Sequence, residues 1–138
     1  MATPTSKVLK YAISNYTNLT FYADGAVNSG DLVSAGANDG DASATADGDQ
    51  ALGVAYPRQT HENGTQENYK DGDQLSVIVD GIVLLEASAT VVAGDALVAG
   101  ADGTVRPYDS AGGDTPEQII ARAHEGGASG DRVEARLI

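Results

Sequence analysis

The dipeptide Gly-Asp recurs along this chain as a corner ahead of an apolar run, and it limits the fold more than any other feature. It stands at Gly30-Asp31, Gly48-Asp49, Gly72-Asp73, Gly94-Asp95 and Gly130-Asp131, each with an apolar residue close behind. Glycine takes positive φ without steric cost, and an aspartate carboxylate bonds nearby backbone amides. The pair therefore suits a tight turn that feeds a strand. Two further copies, Gly40-Asp41 and Gly113-Asp114, lack an apolar follow-on and are expected in loops. A chain punctuated in this way reads as a series of short strands.

Longer strings repeat with the corners. "GDLVSAG" at 30–36, "QALGVAY" at 50–56 and "GDQLSVIV" at 72–79 are answered in order by "GDALVAG" at 94–100, "EQIIARAH" at 117–124 and "GDRVEARLI" at 130–138. Gly94 follows Gly30 by 64 residues and Gly130 follows Gly72 by 58, so loops differ in length while strand order holds. The pattern predicts a single all-β domain over 7–138, a small barrel or sandwich-like body. It would be built from a tandem pseudo-repeat of one three-strand unit, over about 30–80 and 94–138. The opening "MATPTS", residues 1–6, reads as a flexible arm.

Period-2 alternation supplies the strands. Val8, Tyr11 and Ile13 begin a first one, and "LTFYA" at 19–23 continues or pairs with it. "QLSVIVDGIVLLEA" at 74–87 predicts two strands hinged at Asp80-Gly81, a hairpin-type dipeptide. In the terminal "RVEARLI", Val133, Ala135 and Leu137 face one way while Glu134 and Arg136 face the other. "DTPEQIIARAH" has a capping-box pattern, with Thr115, Gln118 and Pro116 at the first helical position. Its counterpart contains Gly53 and reads as strand, so we expect a strand with one helical turn ahead of it. The polar segments 37–49 and 57–72 read as long surface loops.

Acidic residues number 20 against 8 basic ones, a net charge of −12, and the only lysines are Lys7, Lys10 and Lys70. Nucleic acid and anionic membranes should repel such a chain, because binding to them needs Lys and Arg against phosphate. High Asp, few Lys and small apolar residues together suggest a halophile's protein, soluble where salt shortens the Debye length to about 3 Å. The chain has no Trp and a single Phe, Phe21, and its apolar share is mostly Ala and Val. Alanine buries little area, so part of the stability is expected from association. Cysteine is absent, which excludes disulfides and thiolate chemistry. No apolar run approaches 18 residues, so neither a signal peptide nor a membrane span is expected.

Catalysis needs titratable groups gathered in a pocket. The histidines are His61, in a polar loop, and His124, at a strand end; the nearest nucleophile–base set would be His124, Ser129 and Asp131. Nothing in the spacing fixes that geometry, so no enzyme and no cofactor are expected. Paired carboxylates occur at Asp39/Asp41, Asp47/Asp49 and Asp71/Asp73. Counted from Asp39, an EF-hand loop would need glycine where Ala44 stands and glutamate where Gln50 stands. Solvated turns fit these pairs better than a metal. Three sequons, at Asn15, Asn18 and Asn63, fit N-x-[ST] and are candidate glycosylation sites.

The run "DGIVLLEASATVVAGDALVAGADGTVRP", then "QIIARAHEGGASGDRVEARLI", resembles the capsid cement, or head decoration, proteins of tailed double-stranded DNA viruses. The matching positions are Gly81 to Ala87, Gly94-Asp95, Asp102-Gly103, Ile119 to Ala123 and Gly130 to Leu137. The long polar loops and the acidity depart from the usual pattern, and the acidity suggests a virus of a halophilic archaeon. The resemblance implies a homotrimer on the outer surface of the capsid, holding major capsid protein subunits together. It also implies an N-terminal arm reaching over the capsid, with Ala2, Thr3, Pro4, Thr5, Ser6, Lys7 and Lys10 as contact residues. The alternative is a receptor- or glycan-binding module with an aromatic patch near Tyr56, Tyr69 or Tyr108. A third is a domain accessory to an enzyme, with a pocket around His124.

Overall fold

The computed structural model describes residues 9–11, 18–59 and 66–138. In chain order the strands are β1 (Leu9–Tyr11), β2 (Asn18–Ala23), β3 (Leu32–Ala35), β4 (Asp41–Ala44), β5 (Ala51–Ala55), β6 (Arg58–Gln59), β7 (Gln66–Glu67), β8 (Gln74–Ile78), β9 (Ile82–Glu86), β10 (Ala96–Ala99), β11 (Val105–Pro107), β12 (Ala121–Ala123) and β13 (Arg132–Leu137). Five of them close a barrel in the order β2-β4-β3-β5-β8, and six form a sheet in the order β1-β9-β13-β12-β10-β11. β6 and β7 make a separate ribbon. The fold is mainly β, as the corners predict. No helix among the described residues is long and apolar enough to cross a membrane.

Each of the five corners is the same turn. The residue three before the aspartate donates its N–H to that carboxylate, from Asn28, Ala46, Lys70, Val92 and Ala128, at 2.8–3.0 Å. The aspartate N–H returns to the same residue's carbonyl at 3.0–3.2 Å. The glycine between them sits at φ of 80–94°, the region a type II turn demands of its third residue. Sequence, turn and strand entry are thus one unit.

The barrel and sheet carry matching hydrogen bonds. Ala23 donates to Asp73 and Ala87 to Asp131; Gly30 donates to Ala55 and Gly94 to Ala123; Val27 donates to Tyr69 and Val91 to Gly127. In the barrel β3 pairs with β5 and β5 with β8, and in the sheet β10 pairs with β12 and β12 with β13. The parallel contact that closes the barrel, Ala23 with Ala42, has its equivalent in a parallel bridge of Ala87 with Val105.

Alternation on the shared strands joins the two bodies. Val33, Ala55 and Val77 fill the barrel interior, with Leu75, Ala42 and Tyr69 around them. Their neighbours Leu32, Val54 and Ile78 turn the other way and pack with Val83, Leu85, Leu97, Val105, Val133 and Leu137 of the sheet. Two-faced burial is why β3, β5 and β8 read as near-continuous apolar runs. Each fully buried Val or Leu in this layer contributes roughly 1.5–3 kcal/mol. Gly53 sits where β5 crosses β8: a Cβ there would lie 2.2 Å from the Ile78 carbonyl oxygen.

Several expectations are corrected. Asp80-Gly81 is not a hairpin turn, because β8 belongs to the barrel and β9 to the sheet. Each strand is already paired, β8 with β2 and β5, β9 with β13 and β1, so the dipeptide carries a crossover. β1 and β2 do not pair; β1 lies on β9 and β2 on β8. Segment 37–49 is not all loop, since it contains β4, whose Ala42 is fully buried. Gly40-Asp41 likewise feeds that strand, the Asp41 N–H bonding the Asn38 carbonyl at 3.1 Å. Segment 57–72 holds the β6–β7 ribbon. At 115–123 both signals are realised: a 3-10 turn at Pro116–Gln118 with its Thr115 capping box, then β12.

Candidate functional site

Ala2, Thr3, Pro4, Thr5, Ser6, Lys7, Asn15, His61 and Asn63 lie outside the described residues. Lys10 lies in β1, along β9, and Asn18 opens β2. The candidate nucleophile–base set is not assembled. His124 Nδ1 is 3.1 Å from Glu134 Oε2, Ser129 Oγ donates to the Ser88 carbonyl at 3.2 Å, and Asp131 anchors its own corner. Of the three tyrosines expected near an aromatic patch, Tyr108 is half-buried and the other two are engaged in the fold. Tyr69 is 6% exposed with its hydroxyl donating to the Tyr56 carbonyl at 2.7 Å, and Tyr56 packs on the main core. Among the described residues the exposed aromatic is Tyr22 on β2.

The carboxylates of the Asp47/Asp49 and Asp71/Asp73 pairs serve structure. Asp49 accepts from Ser34 Oγ at 3.0 Å and from its corner amide, Asp71 accepts the Gly25 N–H at 2.8 Å, and Asp73 closes a corner. Among the described residues no group of three or more His, Cys, Asp or Glu side chains is placed to hold a metal ion.

Asp47 belongs to a clasp between the two bodies. Arg106, on β11, reaches Asp47 Oδ1 through Nε at 2.7 Å and holds Asp114 through two guanidinium nitrogens at 2.6 and 3.0 Å. Asp114 is nearly enclosed, with 7% of its side chain exposed, while Asp47 is 61% exposed. The Arg106 fork, helped by the Asp109 amide, lowers the Asp114 carboxyl to about 2. The two carboxylates in turn raise the Arg106 guanidinium well above its ordinary value. Two further bonds run beside the clasp: the Gly48 N–H donates to the Ala99 carbonyl at 3.0 Å, and the Thr45 hydroxyl donates to the Gly100 carbonyl at 2.9 Å.

A second junction centres on Asp31. It lines a crevice with Glu86, Asp102, Thr104 and Ser129, where the barrel's first corner meets the sheet. Gly103 presses against it; a Cβ there would stand 2.5 Å from the Asp31 Cγ. Burial raises the Asp31 carboxyl to about 6, opposed by the Asn28 amide and Arg132 and reinforced by Glu86 and Asp102. The clasp and the crevice pin the barrel to the sheet from two places, leaving the outer surfaces for contacts. Among the described residues the large apolar side chains exposed there are Leu19, Tyr22, Val92 and Ile138.

Sequence reasoning missed the clasp because Arg106 and Asp47 stand 59 residues apart. A lone arginine in a short strand gives no local signal for such a pair.

No curated protein matches the chain in sequence. Among solved structures, the chain is similar to the N base of head fiber gp8.5 in bacteriophage phi29, at a TM-score of 0.57 and 18% identity. That match covers 90% of this chain and 95% of the other, and at this identity it is a likeness of fold. The sequence profile of the family described as "Structural cement protein (E217 gp24/Pam3 gp6)" matches residues 9–138. Matched from β1 to its last residue, the chain belongs to the phage structural cement proteins, virion components located on the capsid.

Proposed function

We propose that this protein binds the outer surface of the capsid and stabilises contacts between major capsid protein subunits, acting without catalysis and as a homotrimer. The observation that carries the reading is the family match over nearly the whole chain. The build supports it. The layer between barrel and sheet is apolar and fully buried, and the clasp fastens both halves, so the body can bear load without internal sliding. Several weak contacts held in fixed geometry add avidity that one contact lacks. The net charge of −12 favours protein partners over nucleic acid or anionic membrane, and it favours work in high salt.

The test is to add purified protein to cognate capsids that lack it. Saturable attachment should appear, with bound capsids surviving higher temperature or internal pressure than bare ones. Absence of both attachment and protection refutes the reading.

A further inference from the structure

The outer face of the six-stranded sheet carries a feature that folding alone does not call for. Arg122 on β12 and Arg136 on β13 are directly opposed across the strand pair, and both are exposed. Like charges placed opposite one another on a sheet are destabilising. Among the described residues neither arginine has an ion pair: Arg122 donates to the Gly94 carbonyl at 2.9 Å, and Arg136 has no hydrogen-bond or ion-pair partner. The next carboxylate along β13 on that face, Glu134, is only 18% exposed and is held by His124. In a chain with 8 basic residues against 20 acidic ones, two stand as a doublet that no carboxylate among the described residues neutralises.

The surroundings have the composition of a contact patch. Ile82 and Ala96 flank the doublet across the neighbouring strands, at Ile82↔Arg136 and Ala96↔Arg122. Ile138 follows Arg136 by two positions and so shares its face, at 68% exposure. Val92, 61% exposed, belongs to the corner whose Gly94 carbonyl takes the Arg122 guanidinium. Arginine beside exposed aliphatic side chains is the usual make-up of an interface centre.

We propose that this face, centred on Arg122 and Arg136, is the surface that docks on a carboxylate-bearing patch of the capsid protein; the inference rests on the cement reading above. Two guanidinium forks from adjacent strands can each take a carboxylate bidentately. The acidic remainder of the molecule repels such a partner, so among the described residues this face is the one placed to lead the approach, and the charge pattern orients the docking. A polyphosphate partner fits poorly, since two arginines would neutralise about two phosphates against the molecule's own negative field.

Co-sedimentation with cement-free capsids tests the proposal with four proteins: wild type, Arg122→Glu/Arg136→Glu, Arg122→Gln/Arg136→Gln and Lys70→Glu. Lys70, exposed on the barrel side, is the control for a lost positive charge elsewhere. Expected is wild-type binding that weakens with salt, a loss of at least about tenfold for the double Glu variant, a smaller loss for the double Gln variant, and no change for Lys70→Glu. The double Gln variant removes a like-charge contact and should melt no lower than wild type, so it reads binding even if the Glu variant folds poorly. If wild type does not bind, the cement reading fails. If wild type binds and both double variants bind equally well, this inference alone fails. Sedimentation velocity showing that the variants lose self-association would assign the face to a second copy and overturn the proposal. Wild-type binding to a DNA duplex that the variants lose would overturn it as well.

Discussion

Asp31→Asn is expected to stabilise the protein above pH 6. Burial at the barrel–sheet junction lifts the carboxyl from 3.8 to about 6, so the native state binds the proton more tightly than the unfolded chain. Stability attributable to this group therefore rises as pH falls through 6, levels off below 3.8, and is lost again as pH rises. The shift sets a ceiling of about 3 kcal/mol on the cost of the ionised form at neutral pH. The carboxylate is only partly buried and solvent screens it, so roughly 1 kcal/mol is the realistic gain on removing the charge. For a domain of this size that is roughly 3–5 °C in Tm. Asparagine keeps an oxygen to accept the Asn28 N–H that Asp31 now takes at 2.9 Å, so the corner survives. Thermal melts of both proteins from pH 4 to pH 8 read the effect: the gap should be widest at pH 7–8 and shrink between 6 and 4. Asp131→Asn is the comparison, since Asp131 closes the same corner in an exposed position. It should gain nothing, because the charge-assisted bond is weakened without relief of burial. A lower Tm for Asp31→Asn at pH 8, or a gap independent of pH, would refute the reasoning.

Arg106→Lys should lower Tm nearly as much as Arg106→Met, because an ammonium cannot reproduce the fork that holds Asp114 by two bonds while reaching Asp47. The Asp114 contribution is present above the ordinary carboxylate range and fades as pH falls toward about 2, so the gap between wild type and either variant should narrow below pH 3. Gly53→Ala should give little folded protein on expression, as judged by circular dichroism, since its Cβ would meet the Ile78 carbonyl at 2.2 Å and backbone cannot step aside; a variant with wild-type Tm would show that β5 and β8 can separate. With a net charge of −12, Tm should rise between 0.1 M and 2 M salt as carboxylate repulsion is screened, and an unchanged melt would remove the basis for the high-salt reading.

The five corners were legible because each is a local device: glycine and aspartate in sequence suffice to specify the turn. The buried runs of β3, β5 and β8 were legible as strands for the same reason. Strand partners were not. Asp80-Gly81 has hairpin chemistry, yet pairing is settled by which edges remain open, and here β8 and β9 had none to offer one another. β4 escaped because "DASA" has no large side chain, while closing a narrow barrel calls for small ones such as Ala42. In the candidate site, alternation alone put Arg136 on the solvent face of β13. That Arg122 stands opposite required the register of β12 against β13, which the loop between them sets and alternation within either strand does not.

The matching hydrogen bonds of barrel and sheet give the molecule its own internal control. A glycine or aspartate can be exchanged at Gly30-Asp31 and, separately, at Gly94-Asp95, where the turn is the same and only the neighbours differ. Whatever the two exchanges share belongs to the corner itself. The remainder measures what each half has been adapted to do.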